Sequence, residues 1–441
     1  MTEAATERKG LLRSFPATYW VVISMEFFER TAFYGMTAML AAYFVKHVGS
    51  EAAWGAWRTV LYCSLYFVPV FSGALAEQVG YRKVLAAAFV LMTAAYLGLG
   101  SFTSLPMYYL FMILLGVGGG LFKPVVSGTI ARVTDEGNST LGFGIYYWTI
   151  NVGSFLASLV TTYFAQRDAA SGGNELRIVF FLSAGYVALM FFNNLFFYRE
   201  PRRPAKAKTV RESWNNILTV CGNWRFLLLL LVFSGFWGVW DRSTDAALWL
   251  VESEYMDFTP VNDFVTRAFA FFGSDYRFTF TVANVTTINA AVIILFQVLA
   301  SWLTRRTRPL PTMMAGLVMV LCFPLLTAFS RDPWVFVLSL VLLSLGEITA
   351  YPKLISYVGL IAPRDKVAIY MGFLFLPIFF SSMIYSYPFG ALWKHLVADG
   401  GGWVTAYWLV VAGLGFLTLL GLLCFHLFVG KKLSMSERKG G

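Results

Sequence analysis

The sequence predicts an all-α membrane protein with about twelve transmembrane helices in two six-helix bundles and both termini in the cytoplasm. Of its 441 residues, 58% are hydrophobic and only 13% are charged, whereas about a quarter of a soluble domain is charged. Apolar runs long enough to cross a hydrocarbon core of roughly 30 Å recur from Tyr19 to near Phe428. A basic segment over 199–223 divides these runs into two sets.

Glycines, prolines and charge clusters separate the predicted spans. The spans lie near residues 17–45, 57–77, 84–103, 107–131, 142–165, 177–198, 224–250, 280–303, 312–330, 334–361, 367–392 and 403–428. We therefore predict an N-terminal bundle over 1–198, a cytoplasmic linker over 199–223 and a C-terminal bundle over 224–441 that ends in a short basic tail. The connection over 251–279 is long, aromatic and acidic, and no role follows from its sequence.

The formal net charge of +10 comes from basic residues dispersed among short segments between the spans. Arg and Lys concentrate in alternate connections, at 80–83, 199–211, 305–308 and in the tail after residue 429. The positive-inside rule makes that side cytoplasmic. Topology thus explains the basic residues without a nucleic-acid partner, and we expect a multi-pass protein of the plasma membrane or the bacterial inner membrane.

No catalytic or metal-binding pattern appears within the predicted spans. Cys63, Cys221, Cys322 and Cys424 lie far apart, without the paired spacing of a zinc site or a disulfide framework. There is also no Gly-x-Ser-x-Gly elbow, His-Glu-x-x-His motif or cysteine nucleophile with histidine partners. We predict that the protein is not an enzyme and that it has no metal and no cofactor.

The turn after the second predicted span carries a recognisable pattern, "SGALAEQVGYRKVL" at 72–85, and a faint echo, "ASWLTRRTRPLPTM" at 300–313, follows the eighth. Gly73, Glu77, Gly80, Arg82 and Lys83 resemble the cytoplasmic loop signature of the major facilitator superfamily, with Glu in place of the usual Asp. That resemblance implies two parallel halves, each built from nested inverted repeats, which transport by alternating access.

Charged residues interrupt the first and fourth predicted spans. Glu26, Glu29 and Arg30 stand at i, i+3 and i+4, so they share one helical face and form one polar patch. A charge at mid-bilayer costs at least about 2.5 kcal/mol, so such residues normally face a bundle interior and move ions or substrate. Lys123 is the lone charge in "GVGGGLFKPVVSG", and we expect Glu26 and Glu29 to be its carboxylate neighbours.

Five stretches in both halves resemble motifs of the proton-coupled oligopeptide transporter family (POT/PTR). They are "EFFERTAFYGM" at 26–36, "GGGLFKPVVS" at 118–127, "FGIYYWTINVGSF" at 143–155, "FWGVWDRS" at 236–243 and "GEITAYPKLISYVGLIAP" at 346–363. The resemblance implies a symporter that imports di- and tripeptides together with protons, and we expect a functional monomer.

The resemblance also implies residue roles. The proton-coupling network would comprise Glu26, Glu29, Arg30, Lys123 and Asp241. The peptide site would comprise Tyr34, Tyr66, Lys123, Asn151, Trp237, Asn289 and Glu347. Within it, Glu347 would attract the amino terminus of the peptide and Lys123 would favour its carboxylate. Alternatively, Tyr66 and Trp237 could pack between helices. Asn151 and Asn289 could instead form hydrogen bonds between helices.

The sequence departs from the family pattern at several charges. Thr37 stands where the first-helix motif usually continues with an arginine that is expected to pair with the seventh-helix acid. Here Arg242 directly follows Asp241, Asp245 lies one turn later, and Lys353 is a further unusual charge. Coupling through the seventh span and the choice of substrate therefore stay open. Another small organic anion or a modified amino acid is the alternative substrate, and a transporter-like peptide sensor is a more distant alternative.

Overall fold

The computed structural model describes residues 14–48, 51–171, 176–201, 210–252, 255–273, 275, 277–398 and 403–430. All regular elements in this part of the chain are helical, as the sequence predicts. Two pieces of the predicted cytoplasmic side, residues 202–209 of the linker and the basic tail from 431 onwards, lie outside the described residues.

The N-terminal part contains seven helices in the described residues. They are α1 (Ala17–His47), α2 (Glu51–Val79), α3 (Tyr81–Ser101), α4 (Leu105–Val133), α5 (Ser139–Ser171), α6 (Leu176–Phe196) and α7 (Val210–Gly222). The first six agree with predicted spans to within a few residues at most ends. The seventh is short and falls inside the predicted linker, where no helix was expected.

The C-terminal part adds eight α-helices among the described residues. They are α8 (Trp224–Glu252), α9 (Thr259–Phe271), α10 (Val282–Thr304), α11 (Pro309–Phe329), α12 (Pro333–Ile361), α13 (Val367–Phe373), α14 (Leu376–Trp393) and α15 (Val404–Cys424). Two short π-helical segments, Lys394–Ala398 and Phe425–Gly430, directly follow α14 and α15. Helix α9 occupies the connection whose role the sequence left open. The predicted eleventh span is broken into α13 and α14.

Nine helices of the described chain are long and apolar enough to cross a membrane. They correspond to α3, α4, α6, α8, α10, α11, α12, the α13–α14 pair and α15. Helices α1, α2 and α5 contain 31, 29 and 33 residues, so each exceeds the roughly 20 residues that a span requires. The prediction of an all-helical protein with many membrane spans is confirmed.

The chain divides into two compact units. Among the described residues, the first unit contains those up to Leu227 together with Ile355–Leu376, and the second contains Leu228–Leu354 and those from Pro377 to residue 430. In the first unit α1 packs against α5 and α6, α3 packs against α4 and α6, and α13 packs against α2 and α4. In the second unit α11 packs against α15. The predicted bundle boundaries around 199–223 stay a prediction.

Glycine is required where two helices approach most closely and where the chain turns sharply. Gly80 has φ 117° between α2 and α3, a conformation that strains residues with a side chain. In the second unit a Cβ on Gly316 would lie 2.7 Å from the carbonyl oxygen of Gly346, so α11 and α12 touch through their backbones. Small residues at helix contacts are typical of membrane bundles.

Candidate functional site

Helix α1 carries a buried ion cluster in the first unit. Glu26 and Glu29 are 0% and 1% exposed, and Arg30 is 5% exposed. The Nε atom of Arg30 lies 2.9 Å from Oε1 of Glu26 and also contacts Oε2 of Glu29. One guanidinium therefore serves two carboxylates, so protonation of either carboxyl would weaken an ion pair that the fold has removed from water.

Lys123 on α4 approaches this cluster but makes aromatic contacts. Its Nζ atom lies 4.5 Å from the ring centroid of Tyr66 and 5.0 Å from that of Phe375. Within the described part of the chain, no carboxylate oxygen lies within ion-pair distance of this ammonium, although Glu26 and Glu29 are within its electrostatic reach. The cation–π contacts compensate part of the cost of burial, and the expected direct pair with the glutamates is replaced by pairing of both with Arg30.

Three further predicted or questioned positions lie on α1 and α5. Tyr34 interacts electrostatically with Arg30, one turn from it, and so borders the ion cluster. Thr37 donates a hydrogen bond to the carbonyl of Tyr34, which places a neutral hydroxyl where the oligopeptide transporter motif has a cation. Asn151 donates to the carbonyl of Tyr147 at 3.0 Å, which is a bond within its own helix.

In the second unit, Glu347 on α12 is the centre of a polar cluster. This residue is 3% exposed. Its Oε2 atom accepts hydrogen bonds from the indole of Trp240 at 2.8 Å and from Asn289 at 2.9 Å. Asn289 also donates to Ser344 at 3.0 Å. Donors on α8 and α10 thus orient the buried carboxylate of Glu347. Asn289 also links α10 to α12, in addition to being a candidate substrate-binding residue.

Trp237 lies beside this cluster on α8. Its ring is edge-on to Tyr351 at 5.0 Å and to Trp240 at 5.6 Å. Its buried Nε1 donor has no hydrogen-bond acceptor among the described residues. The ring therefore packs between helices, while its indole N–H is available to a bound molecule or to water.

Asp241 and Arg242 occupy different surroundings although they are adjacent. Asp241 accepts a hydrogen bond from Ser381 of α14 at 2.9 Å. Arg242 pairs instead with Asp245, at 3.0 Å between Nη2 and Oδ2, and the Asp245 side chain is 68% exposed. Seven residues separate Arg242 from Gly235, so both lie on the face of α8 that packs against α15. The structure does not bring Arg242 to the Glu347 cluster.

Lys353 has a contact that explains its burial. Its ammonium donates a 2.6 Å hydrogen bond to the carbonyl of Thr304, the last residue of α10. Helix C-termini carry unpaired carbonyls and a partial negative charge, so a cation there is stabilising. The contact attaches the end of α10 to α12.

Glu77 organises a second charged site in the first unit. Its carboxylate accepts two hydrogen bonds from Nη2 of Arg132, at 2.9 and 2.7 Å, and one from the hydroxyl of Tyr81 at 2.7 Å. It also accepts a 3.0 Å bond from the backbone N–H of Ala368, at the start of α13. The glutamate that replaces the usual aspartate therefore holds α2, α4 and α13 together.

The surrounding contacts explain why glycine occurs in this motif. A Cβ on Gly73 would overlap the carbonyl of Ala368, so only glycine allows α13 this close to α2. Two more hydrogen bonds attach the segment 355–376 to the rest of the first unit. Ser356 donates to Ser139 at 3.0 Å, and Asn223 donates to the hydroxyl of Tyr370 at 3.3 Å.

Several residues at these sites were not singled out by the sequence. Arg132 carries a weak signal, because it is a charge at the end of an apolar helix. Trp240 shares its helix turn with the predicted Trp237, which could have suggested a pair of indoles. Phe375 and Ser381 carry no sequence signal, since each matters only through the partner that the fold supplies.

An all-helical, multi-pass fold with buried charges inside its spans defines a membrane transport protein. Residues 22–273, more than half of the chain, match the Major Facilitator Superfamily. The chain belongs to that superfamily and is a secondary transporter. The predicted all-helical major facilitator fold is thus confirmed, and so is the expectation that the protein is a transporter and not an enzyme. The cytoplasmic position of both termini stays a prediction.

Two relatives are named dipeptide and tripeptide permease A. Those of Chromobacterium violaceum and Klebsiella pneumoniae are each 30% identical over 169 residues, which cover 37% of this chain and 34% of the relative. The chain thus spans about a third of the length of the curated relatives it matches.

Solved structures with the same fold include the human organic anion transporter, at TM-score 0.68 and 14% identity, with 92% of this chain and 99% of that chain covered. Another is the Escherichia coli fucose:proton symporter, at TM-score 0.70 and 13% identity, covering 92% and 98%. A POT family transporter in complex with a thioalcohol-conjugated peptide has TM-score 0.66 and 18% identity, covering 96% and 100%. At these identities the likeness concerns the fold alone.

Proposed function

We propose that this transporter is a proton-coupled symporter that imports di- and tripeptides by alternating access. The ion cluster of Glu26, Glu29 and Arg30 is the observation that carries the proposal. The partial similarity to dipeptide and tripeptide permeases and the five motifs that resemble the oligopeptide transporter family support the same substrate class.

The proton would act on the ion cluster of α1. A proton on Glu26 or Glu29 removes one of the two negative charges that Arg30 compensates. The guanidinium has then lost one ionic partner and can pair with another anion. A ligand or proton that interacts differently with two conformations shifts the equilibrium between them. Asp241, held by Ser381, is the second proposed proton carrier.

The substrate would be recognised by its two charged ends. In this proposal Glu347, oriented by Trp240 and Asn289, attracts the peptide amino terminus, and Lys123 favours the carboxylate. Tyr34, Tyr66, Asn151 and Trp237 complete the proposed peptide site. A functional monomer in the plasma membrane or the bacterial inner membrane belongs to the same proposal.

Uptake by purified protein in proteoliposomes tests the proposal. An inward proton gradient should drive accumulation of a labelled dipeptide, and Lys123→Ala or Glu26→Gln should abolish it. Glu136→Gln is the matched control, because Glu136 is an exposed carboxylate between α4 and α5. Uptake of normal size without a gradient would refute proton coupling, and binding without uptake would favour a peptide sensor.

One observation favours a second substrate class. The hydroxyl of Thr37 bonds to its own helix, so α1 offers no cation at the place where the family pattern has one. Another small organic anion or a modified amino acid is therefore the second candidate. Competition of dipeptides against free amino acids, nitrate and simple carboxylates in the same vesicles separates the two: only peptides should compete if the first proposal holds.

A further inference from the structure

Helix α9 leaves a row of aromatic side chains largely exposed in the described structure. Phe264, Phe271 and Phe272 are 61%, 85% and 82% exposed. The first two lie seven residues apart with Ala268, also exposed, between them, so these three residues form one stripe along the helix. Such a concentration of exposed apolar surface indicates an interaction site.

The opposite face of α9 is attached to the second unit. Asn262 accepts a 2.7 Å hydrogen bond from the backbone N–H of Phe280, and Thr266 accepts a 3.0 Å bond from that of Phe278. Val261, in the first turn of the helix, is 4% exposed. Because these bonds hold one face of the helix, the aromatic stripe must point away from the unit.

The start of α9 is held as well. Asp257 accepts a 2.9 Å hydrogen bond from the backbone N–H of Thr259, the first residue of the helix. Hydrogen bonds from the side chain and backbone of Thr259 lower the pKa of Asp257 from its ordinary value. The carboxylate thus stays ionised at neutral pH and binds one N–H group of the first turn, where a negative charge is stabilising.

A third sector of α9 is charged. Asp263 and Arg267 are exposed and lie one turn apart, to one side of the aromatic stripe. The helix therefore presents three sectors: one bound to the protein, one apolar and one charged. Separate apolar and charged sectors on the free surface are typical of helices that lie in a membrane interface.

The connections of α9 place it at the membrane surface. Helix α8 ends at Glu252, α9 runs from Thr259 to Phe271, and α10 begins at Val282, so only short connections join α9 to two membrane spans. Phe264 is edge-on to Trp334 at 5.3 Å, and Trp334 is the second residue of the span α12. Aromatic side chains at span ends mark the headgroup level of a bilayer.

We propose that the stripe of Phe264, Ala268 and Phe271, extended by Phe272, inserts into the interfacial layer of the bilayer that α8 and α10 span. The occupant is the lipid of that layer and not a protein. The charged sector carries one acid and one base, so insertion depends on apolar surface and not on anionic lipid. This inference is independent of the proposed substrate.

Spin-label accessibility in zwitterionic proteoliposomes tests the proposal. Ala268→Cys, Phe271→Cys and Asp263→Cys are introduced one at a time into the full chain after its four native cysteines are replaced by serine. Labels at 268 and 271 should collide with oxygen, which concentrates in lipid, severalfold more than with a water-soluble nickel chelate. The matched label at 263 should show the reverse preference. Ala268→Cys is a small change, so the result does not depend on removing a phenylalanine.

Two outcomes overturn the proposal. If all three labels prefer the nickel chelate, α9 stands in water. If labels 268 and 271 are shielded from both reagents, a protein surface, either a partner or a second copy of the chain, covers the stripe. Replacing part of the zwitterionic lipid by anionic lipid should leave the accessibilities unchanged, and a strong dependence would contradict the apolar basis of the insertion.

Discussion

Replacement of Glu77 by glutamine should loosen the attachment of α13. The carboxylate accepts the backbone N–H of Ala368, which is one of the N-terminal donors of α13 that no helical carbonyl can satisfy. When α13 detaches from α2, the Glu77 carboxylate stays bound to Arg132. Detachment therefore breaks only the bond to Ala368 and removes the favourable negative charge from the N-terminus of α13.

The size of the effect follows from that bond. A hydrogen bond to a charged acceptor contributes about 1.5–3 kcal/mol, and a neutral acceptor gives roughly half of this. The lost charge near the N-terminus of α13 adds about 0.5 kcal/mol. Glu77→Gln should therefore weaken the attachment by about 1.5 kcal/mol, which is roughly tenfold in the opening equilibrium.

Hydrogen–deuterium exchange of peptides that cover α13 measures this opening. Exchange over residues 366–373 should accelerate roughly tenfold in Glu77→Gln, while exchange in α10 stays unchanged. Glu200→Gln is the matched control, because the Glu200 carboxylate likewise accepts a backbone N–H at the start of a helix, that of Tyr81 at 2.8 Å, but the helix is α3. Unchanged exchange in Glu77→Gln, or equal acceleration in the control, would refute the reasoning.

Three further substitutions test other contacts, each by thermal unfolding of the purified protein. Trp240→Phe removes the indole donor of Glu347 and should cost about 2 kcal/mol, and an unchanged stability would contradict the role of that 2.8 Å bond. Gly346→Ala should cost about 2 kcal/mol because the new methyl collides with the backbone of α11, whereas Gly413→Ala, with nothing within 4 Å, should cost nothing. Lys353→Met should cost about 1 kcal/mol through the lost bond to the end of α10 yet preserve substrate uptake, and lost uptake in a stable protein would indicate a transport role.

Most ends of the long membrane helices were predictable to within a few residues, but the packing partners of those helices were not. The spans predicted at 84–103 and 107–131 are α3, Tyr81–Ser101, and α4, Leu105–Val133. Helix α9 was missed because its apolar sector is short and its pattern is mixed with charged and aromatic residues, so no run of span length exists there.

The candidate charged residues show the same difference between what the sequence predicts and what depends on the tertiary structure. That Glu26, Glu29 and Arg30 share a face follows from helix geometry, and the structure has them in contact. That Lys123 lies against aromatic rings depends on Phe375, which is distant in the chain. Nothing in the local pattern of either residue encodes that contact.

Membrane insertion, helix periods and the faces on which charges lie followed from the sequence alone, because hydrophobicity and the 3.6-residue turn act over neighbouring residues. Tertiary structure decided which buried charge meets which partner. Glu77 binds the N-terminus of α13 across nearly three hundred residues, and Arg242 turns towards α15 although it adjoins Asp241. Such contacts depend on how helices pack, and packing selects among faces that are each compatible with the same sequence.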